Sequence, residues 1–185
     1  MIELRPLTLL TETDVQRIAT GYLADGKYLV EYVDTEQETT FHLRFVALAQ
    51  PYHKIYDHFD EETLAHYGQV LKEGYSFGAF AADQLVGFLI SGVQQWNHSL
   101  WVWEFHVAPT HRRLGIGREL METAAAQARQ ANLRVIVCET QTTNIPAIQA
   151  YRKLGFRLEG IALSYYSNQD YPDGEVAVFM KRRLD

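Results

Sequence analysis

Val107-Ala108-Pro109-Thr110-His111-Arg112-Arg113-Leu114-Gly115-Ile116-Gly117-Arg118-Glu119-Leu120 is the stretch of this 185-residue chain that decides its fold. A run of strand-forming residues, Leu100–Val107, leads into it, and Ala108-Pro109 breaks that pattern abruptly. From Gly115 to Ala131 the residues Ile116, Leu120, Met121, Ala124, Ala125 and Ala128 recur at helical spacing. The junction is therefore a strand-to-helix turn rich in glycine and arginine. The first amides of a helix have no intrahelical acceptor and carry a partial positive charge, so such a turn attracts phosphate. Gly115 and Gly117 permit close backbone approach. Arg112, Arg113 and Arg118 can each add a charge-assisted hydrogen bond of roughly 1.5–3 kcal/mol. The expected ligand is a pyrophosphate; the alternative is a plain turn with solvated arginines. A dinucleotide fingerprint is incomplete, because Leu120 stands where its third glycine would fall, and no Gly-Lys-Ser/Thr occurs for a Walker loop.

Upstream of this junction, Ser76–Ala82, Leu85–Gln94 and Leu100–Val107 read as three strands joined by short connections, an antiparallel meander. Ile2–Arg5 reads as a strand and Thr11–Leu23 as a helix capped near Thr11. Tyr28–Val33 and Phe41–Leu48 alternate apolar and polar residues around the polar stretch Asp34–Thr40, which predicts a β-hairpin. Asp60–Leu71 is a predicted helix with acidic residues in its first turn and Gly74 as its stop. Downstream, Arg134–Glu139 is a buried-type strand, Ile145–Leu154 a helix stopped by Gly155, and strands near Phe156–Tyr166 and Glu175–Lys181 close the chain. Together these predict an α/β fold, a mixed and mainly antiparallel sheet flanked by helices, with an extra N-terminal hairpin.

Composition narrows the function classes. Seventeen basic against twenty-three acidic residues give a formal charge of −6, which argues against nonspecific binding of nucleic acid and suits a cationic partner. Cys138 is the sole cysteine, so neither an internal disulfide nor a multi-cysteine metal site can form. It stands in Val-Ile-Val-Cys, where a cysteine is expected to be inert packing rather than a nucleophile. The seven histidines lack the spacing of a zinc helix, and no metal is expected. No apolar run approaches the ~20 residues that cross a bilayer, and the start of the chain does not resemble a signal peptide. The expectation is a cytoplasmic protein, monomeric or homodimeric, with no membrane or nucleic-acid partner.

Arg112-x-x-Gly115-x-Gly117 resembles the signature of the GNAT superfamily of N-acetyltransferases, Gln/Arg-x-x-Gly-x-Gly/Ala, position by position. A second stretch, Asn144-x-x-Ala147-x-x-x-Tyr151-x-Lys153-Leu154-Gly155-Phe156, is similar to that family's other CoA-side motif. The resemblance covers roughly Trp101–Phe179 and weakens before Ser76. It implies one domain over residues 1–185, with about 1–75 as acceptor-side elements and 76–182 as the acyl-CoA core. It also implies acetyl-CoA as cosubstrate. Phe105, His106 and Val107 would supply a strand edge to the pantetheine arm. Arg112, Arg113, Leu114, Gly115, Ile116, Gly117 and Arg118 would cradle the pyrophosphate. Asn144, Ala147, Tyr151 and Lys153 would lie on the cofactor's other side. Cys138-Glu139-Thr140-Gln141, with Asn144 and the tail Tyr165-Tyr166-Ser167-Asn168, is locally similar to streptothricin-type antibiotic acetyltransferases.

Acetyl transfer to an amine requires removal of a proton from a group whose reference pKa is near 10.4. Glu104, on the strand entering the loop, is the expected base; the alternative is a structural acceptor or an exposed charge. Strand alternation puts Glu104 and His106 on one face and Trp103, Phe105 and Val107 on the other, unless a bulge intervenes. Tyr151 is the expected acid for the departing thiolate, or else a core residue sharing a helical face with Ala147, Ile148 and Leu154. The acceptor is expected to be a small-molecule primary amine, with a protein or peptide amine, or a non-catalytic acyl-CoA sensor, as the other readings. Tyr28, Tyr32, Phe41, Phe45, Tyr52, Tyr56, Phe59, Trp96, Trp101 and Trp103 either line a pocket or form core.

Overall fold

Short-range signals set most of the elements. A computed structural model describes residues 1–56 and 59–184, so His58 lies outside the described residues. The strands are β1 (Ile2–Pro6), β2 (Tyr22–Asp34), β3 (Thr39–Lys54), β4 (Phe77–Ala81), β5 (Gln84–Gln94), β6 (Ser99–Val107), β7 (Val135–Gln141), β8 (Arg157–Ala162) and β9 (Ala177–Arg183). The helices are α1 (Glu12–Ile18), α2 (Glu61–Val70), α3 (Ile116–Gln130) and α4 (Ile145–Lys153). Seven strands form a sheet in the order β1-β4-β5-β6-β7-β9-β8, and β2 pairs with β3 apart from it. The predicted mixed, mainly antiparallel sheet with flanking helices and an extra hairpin is what forms. The β6–β7 pair is parallel, and α3 is the helix of that β-α-β crossover.

Two elements differ from expectation. The first helix stops at Ile18 instead of reaching Leu23, because Gly21 adopts φ 97° and Tyr22–Leu23 already belong to β2. The hairpin is much longer than its alternating cores suggested. Its register runs from Tyr22↔Lys54 to Asp34↔Thr39, with an irregularity where Ala24↔Tyr52 gives way to Gly26↔Ala47.

By contacts the chain divides into two compact units. The first comprises Met1–Gly21, Ile55–Cys138 and the C-terminal stretch from Arg182. Here α1 and α2 pack on β5 through Val15, Ile18, Tyr67, Val70, Phe88 and Ile90. The stripe Leu120, Met121, Ala124, Ala125 and Ala128 on α3 is wholly buried. Each large aliphatic side chain so buried contributes about 1.5–3 kcal/mol. Tyr22–Lys54 and Glu139–Lys181 make the second unit, in which α4 packs on β2 and the Arg152 guanidinium lies 5.6 Å over the Tyr28 ring. No helix among the described residues is long and apolar enough to cross a membrane.

Candidate active site

The phosphate-type loop is built as a helix start left open. Thr11 caps α1 by accepting from the Asp14 amide, Asp60 caps α2 at the Thr63 amide, and Asn144 caps α4 at the Ala147 amide. Helix α3 begins at Gly115, which has no side chain to offer, and its first intrahelical bond is donated by the Glu119 amide to the Gly115 carbonyl. The amides of Ile116, Gly117 and Arg118 therefore have no acceptor within their own helix. Gly115 sits at φ 88° and Arg113 at φ 63°, a left-handed conformation that costs an arginine about 1 kcal/mol or more. Arg113, Leu114 and Arg118 are exposed at this turn. Arg112 is not a free cation: its Nε donates to the Val107 carbonyl at 3.0 Å and its Nη2 to the Gly21 carbonyl at 3.3 Å. It braces the loop.

Strand β6 carries Glu104, the candidate base. Its pairing with β7 runs from Ser99↔Val135 to Val102↔Cys138, and among the described residues it extends no further toward Val107. On the β5 side the register jumps from Ile90↔Glu104 to Ser91↔Val102, which leaves Trp103 as a bulge. The bulge changes the division of faces expected from alternation. Glu104 and His106 still share a face, with Oε2 of Glu104 2.6 Å from Nε2 of His106. Trp103, however, also turns toward α2: its ring meets His66 edge to face at 5.8 Å, while the next residue, Glu104, reaches Tyr67 of the same helix. Phe105 points toward α3, where its ring lies 3.2 Å from the position a Cβ on Gly117 would occupy.

Glu104 is gripped from two sides. The Tyr67 hydroxyl donates to Oε1 at 2.7 Å, and His106 meets the other oxygen. Tyr67 is only 8% exposed, and burial together with the Glu104 carboxylate pushes its hydroxyl well above the ordinary value, so it remains a donor throughout the physiological range. His106 is itself packed between Phe88 and Tyr56. Sequence reasoning missed Tyr67. Its spacing from Leu64 and Leu71 marks it as core, and nothing local reveals a partner 37 residues away. Tyr67→Phe keeps the ring and removes the donor; it is expected to lower turnover about tenfold, the equivalent of one charge-assisted hydrogen bond. Steady-state rates at saturating substrate check this.

The second unit holds the other motif. Tyr151 is buried on α4 against Phe156, its ring centroid 5.5 Å away. The Asn144 side-chain oxygen is occupied by capping α4; Ala147 is half-buried and Lys153 exposed. The two stretches singled out downstream meet here: the Tyr166 hydroxyl donates to the Glu139 carboxylate. Tyr166, Ser167 and Gln141 line a cavity of about 350 Å³ with Lys54 and Glu175. Burial alone would raise the Glu175 carboxyl, but the Lys54 ammonium at 2.7 Å and hydrogen bonds from Thr143 and Tyr52 outweigh it and hold the group below its ordinary value. Cys138 is fully buried. Among the described residues no group of three or more His, Cys, Asp or Glu could hold a metal ion.

An open helix start thus follows a glycine-bearing turn on a mixed sheet. Residues 32–156 match the family described as acetyltransferase (GNAT) family, and the chain belongs to that family. It is 39% identical over 106 residues to the streptothricin acetyltransferase of Streptomyces lavendulae, a match covering 57% of this chain and 56% of that protein. The chain thus spans about half the length of that relative. Its fold matches the crystal structure of a nourseothricin acetyltransferase with a TM-score of 0.75 and 27% identity, over 100% of this chain and 99% of the other. A Bacillus anthracis protein crystallised with acetyl coenzyme A shares the fold at a TM-score of 0.73 and 21% identity, over 99% of both chains.

Proposed function

We propose that the protein transfers the acetyl group of acetyl-CoA to a primary amine of a small molecule, by direct attack within a ternary complex. The observation that carries this reading is the uncapped start of α3, placed at the end of the strand that bears Glu104. The amides of Ile116, Gly117 and Arg118, with Arg113 and Arg118 beside them, bind the pyrophosphate. Phe105, His106 and Val107 offer main-chain groups to the pantetheine arm, and Asn144, Ala147 and Lys153 serve its other side. One acyltransferase domain then spans the chain, with acceptor-side elements in about its first 75 residues. The names of the S. lavendulae relative and of the nourseothricin enzyme support a small-molecule acceptor.

In this reading Glu104 takes a proton from the ammonium, directly or through water. The freed nitrogen attacks the thioester carbonyl, and the Val107 N–H stabilises the oxyanion. The carbon–nitrogen bond forms, the carbon–sulfur bond breaks, Tyr151 protonates the departing thiolate, and the nitrogen's second proton passes through water to restore the tyrosine while Glu104 returns its own proton to solvent. Tyr151→Phe is expected to cut turnover about tenfold or more while acetyl-CoA affinity stays within twofold; an unaffected rate removes Tyr151 as the acid. The whole proposal is tested by free-thiol release across a panel of small amines and peptide amines, alongside titration calorimetry with acetyl-CoA. Cofactor binding with no acyl transfer to any amine would overturn it.

A further inference from the structure

The two groups that reach Glu104 are not equivalent. The Tyr67 hydroxyl donates to Oε1 at 2.7 Å, while Nε2 of His106 lies 2.6 Å from Oε2. An ionised carboxylate only accepts, and two bare lone pairs repel at such a distance, so the histidine hydrogen sits on Nε2. The ring is not free to turn away. Phe88, wholly buried, packs against it at 5.2 Å, and Tyr56 meets it edge to face at 5.6 Å. The pair still keeps access to solvent: the side chain of His106 is 15% exposed and that of Glu104 19%. A carboxyl held at both oxygens has lost its rotational freedom before any substrate arrives.

The difference between the two partners matters when the carboxylate takes up a proton. A hydroxyl both donates and accepts, so Tyr67 can stay bonded to Oε1 whether that oxygen is bare or protonated. A ring nitrogen that carries hydrogen only donates, and it bonds better to the carbonyl oxygen of a carboxylic acid than to the hydroxyl oxygen. Oε2 is thereby kept as the accepting oxygen. We propose that His106 is a positioning residue for Glu104: its Nε2–H pins Oε2, fixes the plane of the carboxyl group, and makes Oε1 the atom that receives the proton of the substrate ammonium. The nitrogen–hydrogen bond breaks, an oxygen–hydrogen bond forms at Oε1, and the electron pair stays on nitrogen for the attack. This role rests on the reading of Glu104 as the base. It belongs to the imidazole and is separate from any main-chain contact that the same residue makes with the cofactor.

Two measurements on the full chain test it. Nitrogen–proton correlation spectra of the histidine rings, with the His106 signals identified by their loss in His106→Gln, are expected to show hydrogen on Nε2; a ring with hydrogen on Nδ1 alone would overturn the role. These spectra need no substrate. Thiol release from acetyl-CoA is then followed with the fastest amine of the panel as acceptor, and titration with acetyl-CoA reports the fold of each variant. His106→Leu loses the donor and lowers turnover about 30-fold, whereas His106→Gln, whose amide can place an N–H near the same point, lowers it less than about fivefold. In the Glu104→Gln background, His106→Leu costs less than about twofold more, because its effect runs through the carboxylate. Equal losses in the Leu and Gln variants, or the same loss from His106→Leu in both backgrounds, would overturn the positioning role and leave Glu104 as the base. Glu104→Gln with turnover close to wild type would overturn the base assignment and the positioning role with it.

Discussion

Glu104→Gln is expected to lower turnover by about 10²–10⁴, the range that general-base assistance supplies. The substitution is nearly isosteric and keeps a carbonyl oxygen that can still accept from the Tyr67 hydroxyl, so the packing of α2 against β6 should survive. What disappears is the ability to hold a proton. A lysine-like amine with a pKa near 10.4 is about one part in a thousand neutral near pH 7.4, and without a base the enzyme must wait for that fraction. Without the base, the rate should follow the free-amine fraction as pH increases. Thiol release measured across pH, with acetyl-CoA affinity unchanged, checks the assignment. A variant within threefold of wild type, with the same pH profile, would place the base elsewhere.

Gly117→Leu is expected to weaken acetyl-CoA about 100-fold, the equivalent of two lost hydrogen bonds to phosphate. Even a single Cβ at this position lies 3.2 Å from the Phe105 ring, which must give slightly, and the longer side chain then crowds the open amides of α3. The effect on folding should be small beside this. Replacing glycine inside a helix gains up to about 1 kcal/mol in propensity, which offsets part of the contact strain. Calorimetry for the cofactor and thermal melts for the fold separate the two effects, and unchanged affinity would remove the cradle. The same substitution at Gly115 would be a poorer probe, because its φ of 88° makes any side chain a backbone problem first.

Much of this was legible in the sequence because it depends on near neighbours. The long helix, its glycine start and the meander before it rest on periodicity and turn chemistry within a few residues. Gly74 as the stop after α2, Thr11 as the cap of α1 and the acidic first turn of α2 were readable for the same reason. Three things were not. Tyr22 and Leu23 continue the apolar spacing of Val15 and Ile18, so the helix looked longer than the conformation of Gly21 allows. A bulge leaves no mark on a pattern of alternating side chains, so the turn of Trp103 toward α2 needed the register of β5 against β6. The surroundings of Glu104 depend on a tyrosine in a different element, and a helical aromatic reads as core until its hydroxyl is seen to have a partner.

Arg112 opens the motif by which the loop is known, yet its guanidinium is already committed to two main-chain carbonyls, at Val107 and Gly21. The residue acts as a rivet between the end of one strand and the lead-in to another, and in the proposed cradle the anion falls to backbone amides and to the arginines that follow. A signature that admits glutamine as readily as arginine at this place asks for a planar nitrogen donor of the right reach, and the positive charge is incidental to that task. The most recognisable residue of the motif is thus part of the scaffolding.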